Sequence, residues 1–581
     1  MQVPLLLYIA LHLLTCAAGD LPQGAQIPFS EKTLQDNFTG DQATRIAIIG
    51  AGAAGSSSAY HLRKFANDNG LPINITIYEK SSYIGGRSTT VNVLDDPAYP
   101  VELGASIFVR VNELLYNTAT EFGLPTDGAL SEDDPDAEFA LGVWDGTEFA
   151  YKQSSGGTGW WDIAKLLWRY GLAPIRTQKL MNSTVSAFLN MYREPLFPWT
   201  SLTAATEQAG LLDFTAATGW QSLIKNGIGE KWAREIIQGS TRVNYGQNLV
   251  TIHGLETMVC MATDDAMSIR GGNWRIFEGM AKASNAVINL NAAVTSIEAS
   301  KNEHGQKLYT IESQSTSDVG DSLTMTSSSH YDIVILAAPL QFANISITSS
   351  TSTPALKHTP DKVPYVALHV TLLATPHRIS PTFFNIPPSK DGSAATSTVP
   401  AMVITTLPKS ANKSATEIGP DGVGPAGFWS VNHLRSIPPD PYNNLTQPLH
   451  VYKIFSPTPI NAKFLSSMFN IPYISNPPTP NDKHQDSDPI SLLPSSHLPW
   501  YHTHLWHSYP YLYPRVTFEE LRLDADADAA LNHDKQSSSS NDIKGSLWYT
   551  SGIESFISTM ETSALMGKNI AELIGRGLLV E

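Results

Sequence analysis

Arg45-Ile46-Ala47-Ile48-Ile49-Gly50-Ala51-Gly52-Ala53-Ala54-Gly55 decides the fold. The run that starts at Arg45 is apolar through Ile49 and suits a parallel strand covered on both faces. Gly50 permits a tight turn, Gly52 lets the backbone approach a pyrophosphate, and Gly55 lets the next helix pack close to the strand. Ala53 and Ala54 complete the turn. A helix is predicted through Ala59, Tyr60, Leu62 and Phe65, with its N-terminal amides facing the phosphate. Asn74 to Tyr78 reads as a second strand and ends at Glu79, where a carboxylate would accept hydrogen bonds from ribose hydroxyls. Lys80 follows. A lone GxGxxG is a weak signal, but strand, turn, helix, strand and acid in order make a strong one.

The surrounding chain is globular and large. Its 581 residues exceed one compact core, and 42% are hydrophobic against 16% charged. A formal net charge of −16 argues against a nucleic-acid partner. Leu5 to Leu14 is almost wholly apolar, and Cys16-Ala17-Ala18-Gly19 offers small residues for cleavage, so 1–19 is expected to be a secretory signal peptide. Six N-x-[ST] sequons, at Asn37, Asn74, Asn182, Asn344, Asn412 and Asn444, fit an N-glycosylated, lumenal or secreted protein. Asn74 falls in an expected strand and is a poor acceptor. Once Cys16 leaves with the signal, Cys260 remains alone, so no intrachain disulfide can form, and its apolar surroundings read as core.

Past Glu79 comes Gly85-Gly86-Arg87-Ser88-Thr89-Thr90. This segment resembles the GGRxxT loop of a large FAD enzyme family that includes monoamine oxidase, protoporphyrinogen oxidase, phytoene desaturase and the Rab escort proteins. There the loop lies along the FAD pyrophosphate and approaches the flavin. Two glycines permit close backbone approach, and Arg87 brings a fixed positive charge. Gly104-Ala105-Ser106, after Glu102-Leu103, resembles the family's small-residue turn near the isoalloxazine. Val294 lies on a strand like the one that meets adenine. Tyr549 to Glu554 precedes a helix and looks like the family's last flavin contact, where a helix N-terminus stabilises negative charge on the reduced ring. The family's acid directly follows a glycine, whereas here Ile553 stands between Gly552 and Glu554. No cysteine occurs in this segment, so the resemblance implies FAD held noncovalently.

The resemblance implies an α/β fold: a discontinuous Rossmann-like FAD-binding domain with a mixed α+β substrate domain. The FAD-binding parts are expected at 41–110, 265–345 and 545–581. A helical part of the substrate domain is expected at 111–264, and a second part with Pro/Ser-rich insertions and long loops at 346–544. The Ser/Thr-rich stretch 313–329 reads as a loop.

The middle of the chain narrows the chemistry. Asn244-Tyr245-Gly246-Gln247-Asn248, Ile252-His253-Gly254-Leu255, Met258, Met261-Ala262 and Gly271-Gly272-Asn273-Trp274 together resemble the prenylcysteine oxidase (farnesylcysteine lyase) family. Membership implies a lysosomal or vacuolar enzyme that degrades the prenylcysteines left from lipidated proteins. Prenylcysteine, oxygen and water would give a prenyl aldehyde, free cysteine and hydrogen peroxide. A hydride would leave the allylic carbon beside sulfur, where sulfur and the double bond both stabilise the developing cation. Water would add and the hemithioacetal would collapse. The hard electronic step belongs to the cofactor, so the protein mainly binds and orients.

Such a substrate needs an apolar tunnel and polar groups for its amino-acid end. Tyr245 and His253 are the candidate catalytic residues, and with Gln247 and Trp274 they are the candidate substrate contacts. A lone histidine is more often structural. Trp160, Trp161, Leu166, Leu167, Trp168, Tyr170, Phe188 and Phe197 read as tunnel wall, as a peripheral membrane contact, or as plain helix core. Tyr501, His502, His504, Trp506 and His507 match no standard metal spacing, so no metal is expected and the cluster reads as a surface strand or loop. No protein partner is evident. Two alternatives stay open: an FAD-dependent amine oxidase, and a non-catalytic prenyl carrier of the Rab escort type.

Overall fold

The computed structural model describes residues 43–128, 137–155, 160–316, 324–387, 399–410, 418–440, 445–473, 488–525 and 543–580. The expected signal segment, the sequons at Asn37, Asn412 and Asn444, and most of 524–543 lie outside these residues.

Thr44–Ile49 is the central strand of a five-stranded parallel sheet. Across the sheet the order is Ser546–Tyr549, Ile333–Leu336, Thr44–Ile49, Ile73–Tyr78 and Val287–Asn289. The uninterrupted apolar run has a physical reason. Ile46 and Ile48 face one core, shared with the helix Ala53–Asn69, while Ala47 and Ile49 face a second core under another sheet. A strand buried on both faces cannot alternate. Each fully buried isoleucine here contributes roughly 1.5–3 kcal/mol. The sheet draws on three separate stretches of sequence, and the last of them brings the helix Met560–Val580 against Ala53–Asn69. Glycine makes that approach close: a Cβ on Gly567 would lie 2.3 Å from the Ala54 carbonyl oxygen.

A four-stranded sheet covers the second core in the order Thr324–Tyr331, Lys307–Thr316, Ala292–Lys301, Ser346–Ser349. The stretch expected as a loop, 313–329, is therefore largely an antiparallel hairpin, with Thr316 opposite Thr324. Threonine suits a pleated, half-exposed strand as well as a loop, and composition alone cannot separate the two.

A seven-stranded mixed sheet completes the structure. Its order is Trp500–Pro510, Tyr365–Thr375, Leu449–Ser456, Ser430–Ile437, Met402–Thr405, Phe139–Trp144 and Phe149–Ser154. Five of these strands come from 346–544. The region expected to mix strand-like runs, Val366 to Val370 among them, with insertions and long loops builds most of a sheet. Its prolines sit mainly in the connections, which masked the strands between them. The histidine-rich cluster lies on Trp500–Pro510, an edge strand whose side chains alternate between half-buried and exposed. Among the described residues no group of His, Cys, Asp or Glu is placed to hold a metal, and no helix is long and apolar enough to cross a membrane.

Candidate active site

The turn after the first strand is built as its glycines require. Gly50 has φ +109°, and a Cβ there would lie 2.8 Å from the Ala337 carbonyl oxygen. A Cβ on Gly55 would lie 1.9 Å from the Gly50 carbonyl oxygen, so helix and strand could not approach. Gly52 is different. The nearest protein atom to a Cβ there is Gly86 Cα at 3.8 Å, and the position opens onto a large cavity. Glu79 braces the turn: Ala51 N–H donates to its Oε2 at 2.8 Å and Ser81 N–H to its Oε1 at 2.8 Å. Both oxygens keep lone-pair capacity for a ribose, and Glu79 and Lys80 line the cavity.

The Gly85-Gly86-Arg87 loop lies directly on this turn. Gly85 N–H donates to the Ala51 carbonyl at 2.9 Å, and Gly86 has φ +60° with its Cα facing Gly52. Arg87, expected to bring a fixed positive charge, lines the cavity and forms a two-point ion pair with Glu554, at 2.9 Å from Nη1 and 2.7 Å from Nη2. Nη1 also donates to the Ser508 carbonyl. Tyr365 Oη donates to the same carboxylate at 3.1 Å. This explains the displaced acid: with Ile553 inserted, Glu554 reaches Arg87. The three-residue turn at 104–106 packs beside the loop. A Cβ on Gly104 would lie 1.9 Å from the Arg87 carbonyl oxygen, Ala105 N–H donates to that carbonyl at 3.2 Å, and Ser106 Oγ donates to the Gly104 carbonyl at 2.9 Å.

All these elements line one cavity of about 990 Å³, at the top of the ordinary range of roughly 300–1,000 Å³ for ligand sites. Gly50, Gly52, Ala53, Ala54, Glu79 and Lys80 form one end. The other end is apolar, with Leu141, Val143, Leu166, Phe188, Trp232 and Ile236 on its wall. Tyr245 also lines the cavity, its ring edge-on to Tyr509 with centroids 4.9 Å apart and its Oη 3.3 Å from the Ser558 carbonyl.

Five expected site residues stand elsewhere. His253 is buried as the cap of the helix Gly254–Val259, its Nδ1 accepting from Glu256 N–H at 3.1 Å. Burial pushes its pKa down to about 3, so it is neutral and structural. Gln247 is a clamp, donating to the Pro510 carbonyl at 3.1 Å and accepting from Leu512 N–H at 2.9 Å. Trp274 backs the glycine loop from outside the cavity: a Cβ on Gly85 would lie 2.8 Å from its Cβ. Val294 packs in the core between the two sheets. Gly552 faces Glu519, whose Cβ would lie 2.7 Å from an added methyl, and so serves packing rather than the cavity. In each case polar or small residues meet neighbours distant in sequence, which motif reading cannot see. Within the aromatic segment, Leu166 and Phe188 are wall, Tyr170 is core and Trp168 is exposed; the side chains of Trp160 and Trp161 lie outside those described.

Four buried titratable groups next to the site escaped sequence reading. Lys453 Nζ donates to the Glu102 carbonyl at 2.6 Å and to Ser106 Oγ at 3.0 Å, so it anchors the small-residue turn. Burial pushes Lys453 down and the Glu102 carboxyl up. A single lysine within the apolar strand Leu449–Ser456 was the available signal. Glu256 lies behind Tyr245 and Cys260, and burial pushes its carboxyl up to about 8. Glu561 lines the cavity and accepts from Leu114 N–H, Leu115 N–H and Tyr192 Oη at 2.9, 2.9 and 2.8 Å. Burial pushes it up to about 7.

The donors fit a dinucleotide. The Gly52–Gly86 cradle is one that side chains would close, since a Cβ on Gly86 would lie 3.2 Å from Gly52 Cα. The helix Ala53–Asn69 points its N-terminus at the same space. Fold and site together define a dinucleotide-dependent oxidoreductase. A family model described as an NAD(P)-binding Rossmann-like domain matches residues 48–122, and one described as prenylcysteine lyase matches 153–527 and 532–579. The chain belongs to the prenylcysteine lyase family. Farnesylcysteine lyase of Arabidopsis thaliana is 26% identical over 92% of this chain and 88% of its own length. Prenylcysteine oxidase 1 of Rattus norvegicus is 26% identical over 91% of this chain and 88% of its own. Among solved structures, cyclohexylamine oxidase from Brevibacterium oxydans is 15% identical with a TM-score of 0.47, spanning 92% of this chain and 100% of its own.

Proposed function

We propose that the chain is an FAD-dependent thioether oxidase that cleaves prenylcysteines with oxygen and water to a prenyl aldehyde, cysteine and hydrogen peroxide. One observation carries the reading: a single cavity joins a dinucleotide turn to an apolar chamber. Noncovalent FAD would be held by Gly52, Gly86, Glu79 and Lys80 at its pyrophosphate and ribose end and by the 104–106 turn at its ring. When bound, it supplies two-electron oxidation and reoxidation by oxygen.

This chain's residues bind and orient. Leu166, Phe188, Trp232 and Ile236 take the hydrocarbon tail and exclude water from it. Tyr245 and Tyr509, edge-on to each other in the cavity wall, would flank the reacting end of the substrate. Lys453 fixes the turn on which the reacting carbon is oriented, and the Arg87–Glu554 pair locks the loop opposite. No acid–base dyad is required, since the thioether carbon carries its own activation. The same reading places the protein in the secretory pathway of the cell, in a lysosome or vacuole or outside, with exposed Asn182 and Asn344 as glycan acceptors.

The test is product stoichiometry. Purified protein with farnesylcysteine in air is expected to yield farnesal, cysteine and peroxide in equal amounts. Peroxide from polyamines with none from farnesylcysteine selects an amine oxidase instead. A colourless protein that binds prenylcysteine without consuming oxygen selects a carrier.

A further inference from the structure

Trp168 is 94% exposed, more than any other large apolar side chain among the described residues. Leu172 and Ile175 follow at 58% and 44%, around the turn that joins the helices Trp160–Tyr170 and Ala173–Leu189. Scattered exposed leucines need no explanation, but an exposed tryptophan beside two further apolar side chains does.

The charge around this tip is mostly basic. Residues 160–194 contain Lys165, Arg169, Arg176, Lys179 and Arg193 against Asp162 and Glu194, in a chain whose net charge is −16, and Arg193 is paired with Glu113. Arg169 is neutralised by buried Glu235, at 2.8 Å. Arg176 and Lys179 are exposed, and Arg176 donates to a neutral partner, the Gly227 carbonyl, at 2.6 Å. That bond sets the 225–231 segment alongside, which adds exposed Lys225, Glu230 and Lys231; Lys225 is paired with Asp213. The tip is also firmly anchored, because Tyr170 Oη donates to Glu235 at 2.8 Å. A rigid tip that projects tryptophan and leucine between basic side chains matches a membrane interface, where indole sits at headgroup depth and cations meet anionic phosphates.

We propose that the helical hairpin tip at Trp168, Leu172 and Ile175 docks the protein on an anionic phospholipid bilayer. Leu166, on the inward side of the same helix, lines the apolar end of the cavity, so the docked face lies next to the chamber. A tail already dissolved in the bilayer would then enter without crossing bulk water. That last step alone rests on the oxidase reading; docking does not.

Full-length protein is mixed with vesicles of phosphatidylcholine, with and without phosphatidylserine, and sedimented. Binding is expected to phosphatidylserine vesicles only, with a blue shift of tryptophan emission and loss at high salt. Trp168→Ser lowers the partition coefficient about tenfold through lost apolar burial. Lys179→Glu lowers it about fivefold or more. An unchanged melting temperature shows that the variants remain folded, whatever the protein's activity. No binding by the wild type, or equal binding by wild type and Trp168→Ser, overturns the proposal. Capture of a protein partner by this face without vesicle binding overturns it also.

Discussion

Arg87 and Glu554, 467 positions apart in sequence, meet in a two-point ion pair on the wall of the cavity. The pair ties the glycine loop after the second strand to the turn before the last helix.

Removing one partner leaves the other charge partly desolvated. Glu554→Gln is expected to cost about 2–3 kcal/mol, below the ~3–5 of a fully buried pair because Arg87 opens onto the cavity. Denaturant unfolding measures the loss. FAD content is expected to fall with it, and restoring charge with Glu554→Asp recovers part of both. Unchanged stability and FAD in Glu554→Gln would show that the pair is incidental.

Gly52 and Gly55 separate binding from folding. A Cβ on Gly52 would meet no protein atom closer than 3.8 Å, whereas one on Gly55 would meet the Gly50 carbonyl oxygen at 1.9 Å. Gly52→Val is expected to fold with a near wild-type melting temperature and lose most of its FAD. Gly55→Val is expected to express poorly or unfold early. FAD retained at full stoichiometry in Gly52→Val refutes the assignment of that turn.

The apolar end sets tail length. Ile236→Phe adds volume inside the chamber. It is expected to lower kcat/KM for geranylgeranylcysteine about tenfold more than for farnesylcysteine. Equal effects on both substrates would remove the chamber from tail recognition.

Glu256 gives a pH signature. Its folded-state pKa of about 8 lies above the ordinary 4.5, so the folded state holds the proton more tightly and unfolding releases it. Stability from this group is complete below about pH 4.5 and is lost as pH rises towards 8. His253, lowered from 6.5 to about 3, acts oppositely up to about 6.5. Glu561, raised to about 7, and Glu102, also raised by burial, act in the same direction as Glu256 up to about pH 7, so the clean window is about 7–8, with a slope of up to about 1.4 kcal/mol per pH unit. Glu256→Gln is expected to flatten that slope relative to the wild type, read as melting temperature against pH. Parallel curves would contradict the burial argument.

The dinucleotide turn and its carboxylate were legible in sequence, whereas the positions of Val294, Gly552, Gln247, His253 and Trp274 were not. Gly50, Gly52, Gly55 and Glu79 act through backbone geometry, which is local, so their order along the chain carries their roles. Gly104 likewise declares a close approach. His253 and Gln247 look like chemistry because they are polar, yet their partners, Glu256 N–H and the Pro510 and Leu512 backbone, make them clamps. Lys453 does bear on the site, but it arrives from a strand some 350 residues away from Glu102, in a region whose prolines concealed a sheet. Side-chain function that depends on tertiary contact leaves little trace in spacing.

Anaerobic mixing of the purified protein with farnesylcysteine tests the central claim most directly. The protein is expected to be yellow, with flavin absorbance that bleaches on mixing and returns with oxygen, and one farnesal, one cysteine and one peroxide formed per cycle. A flavin that stays oxidised with farnesylcysteine, while an amine bleaches it, would contradict the account.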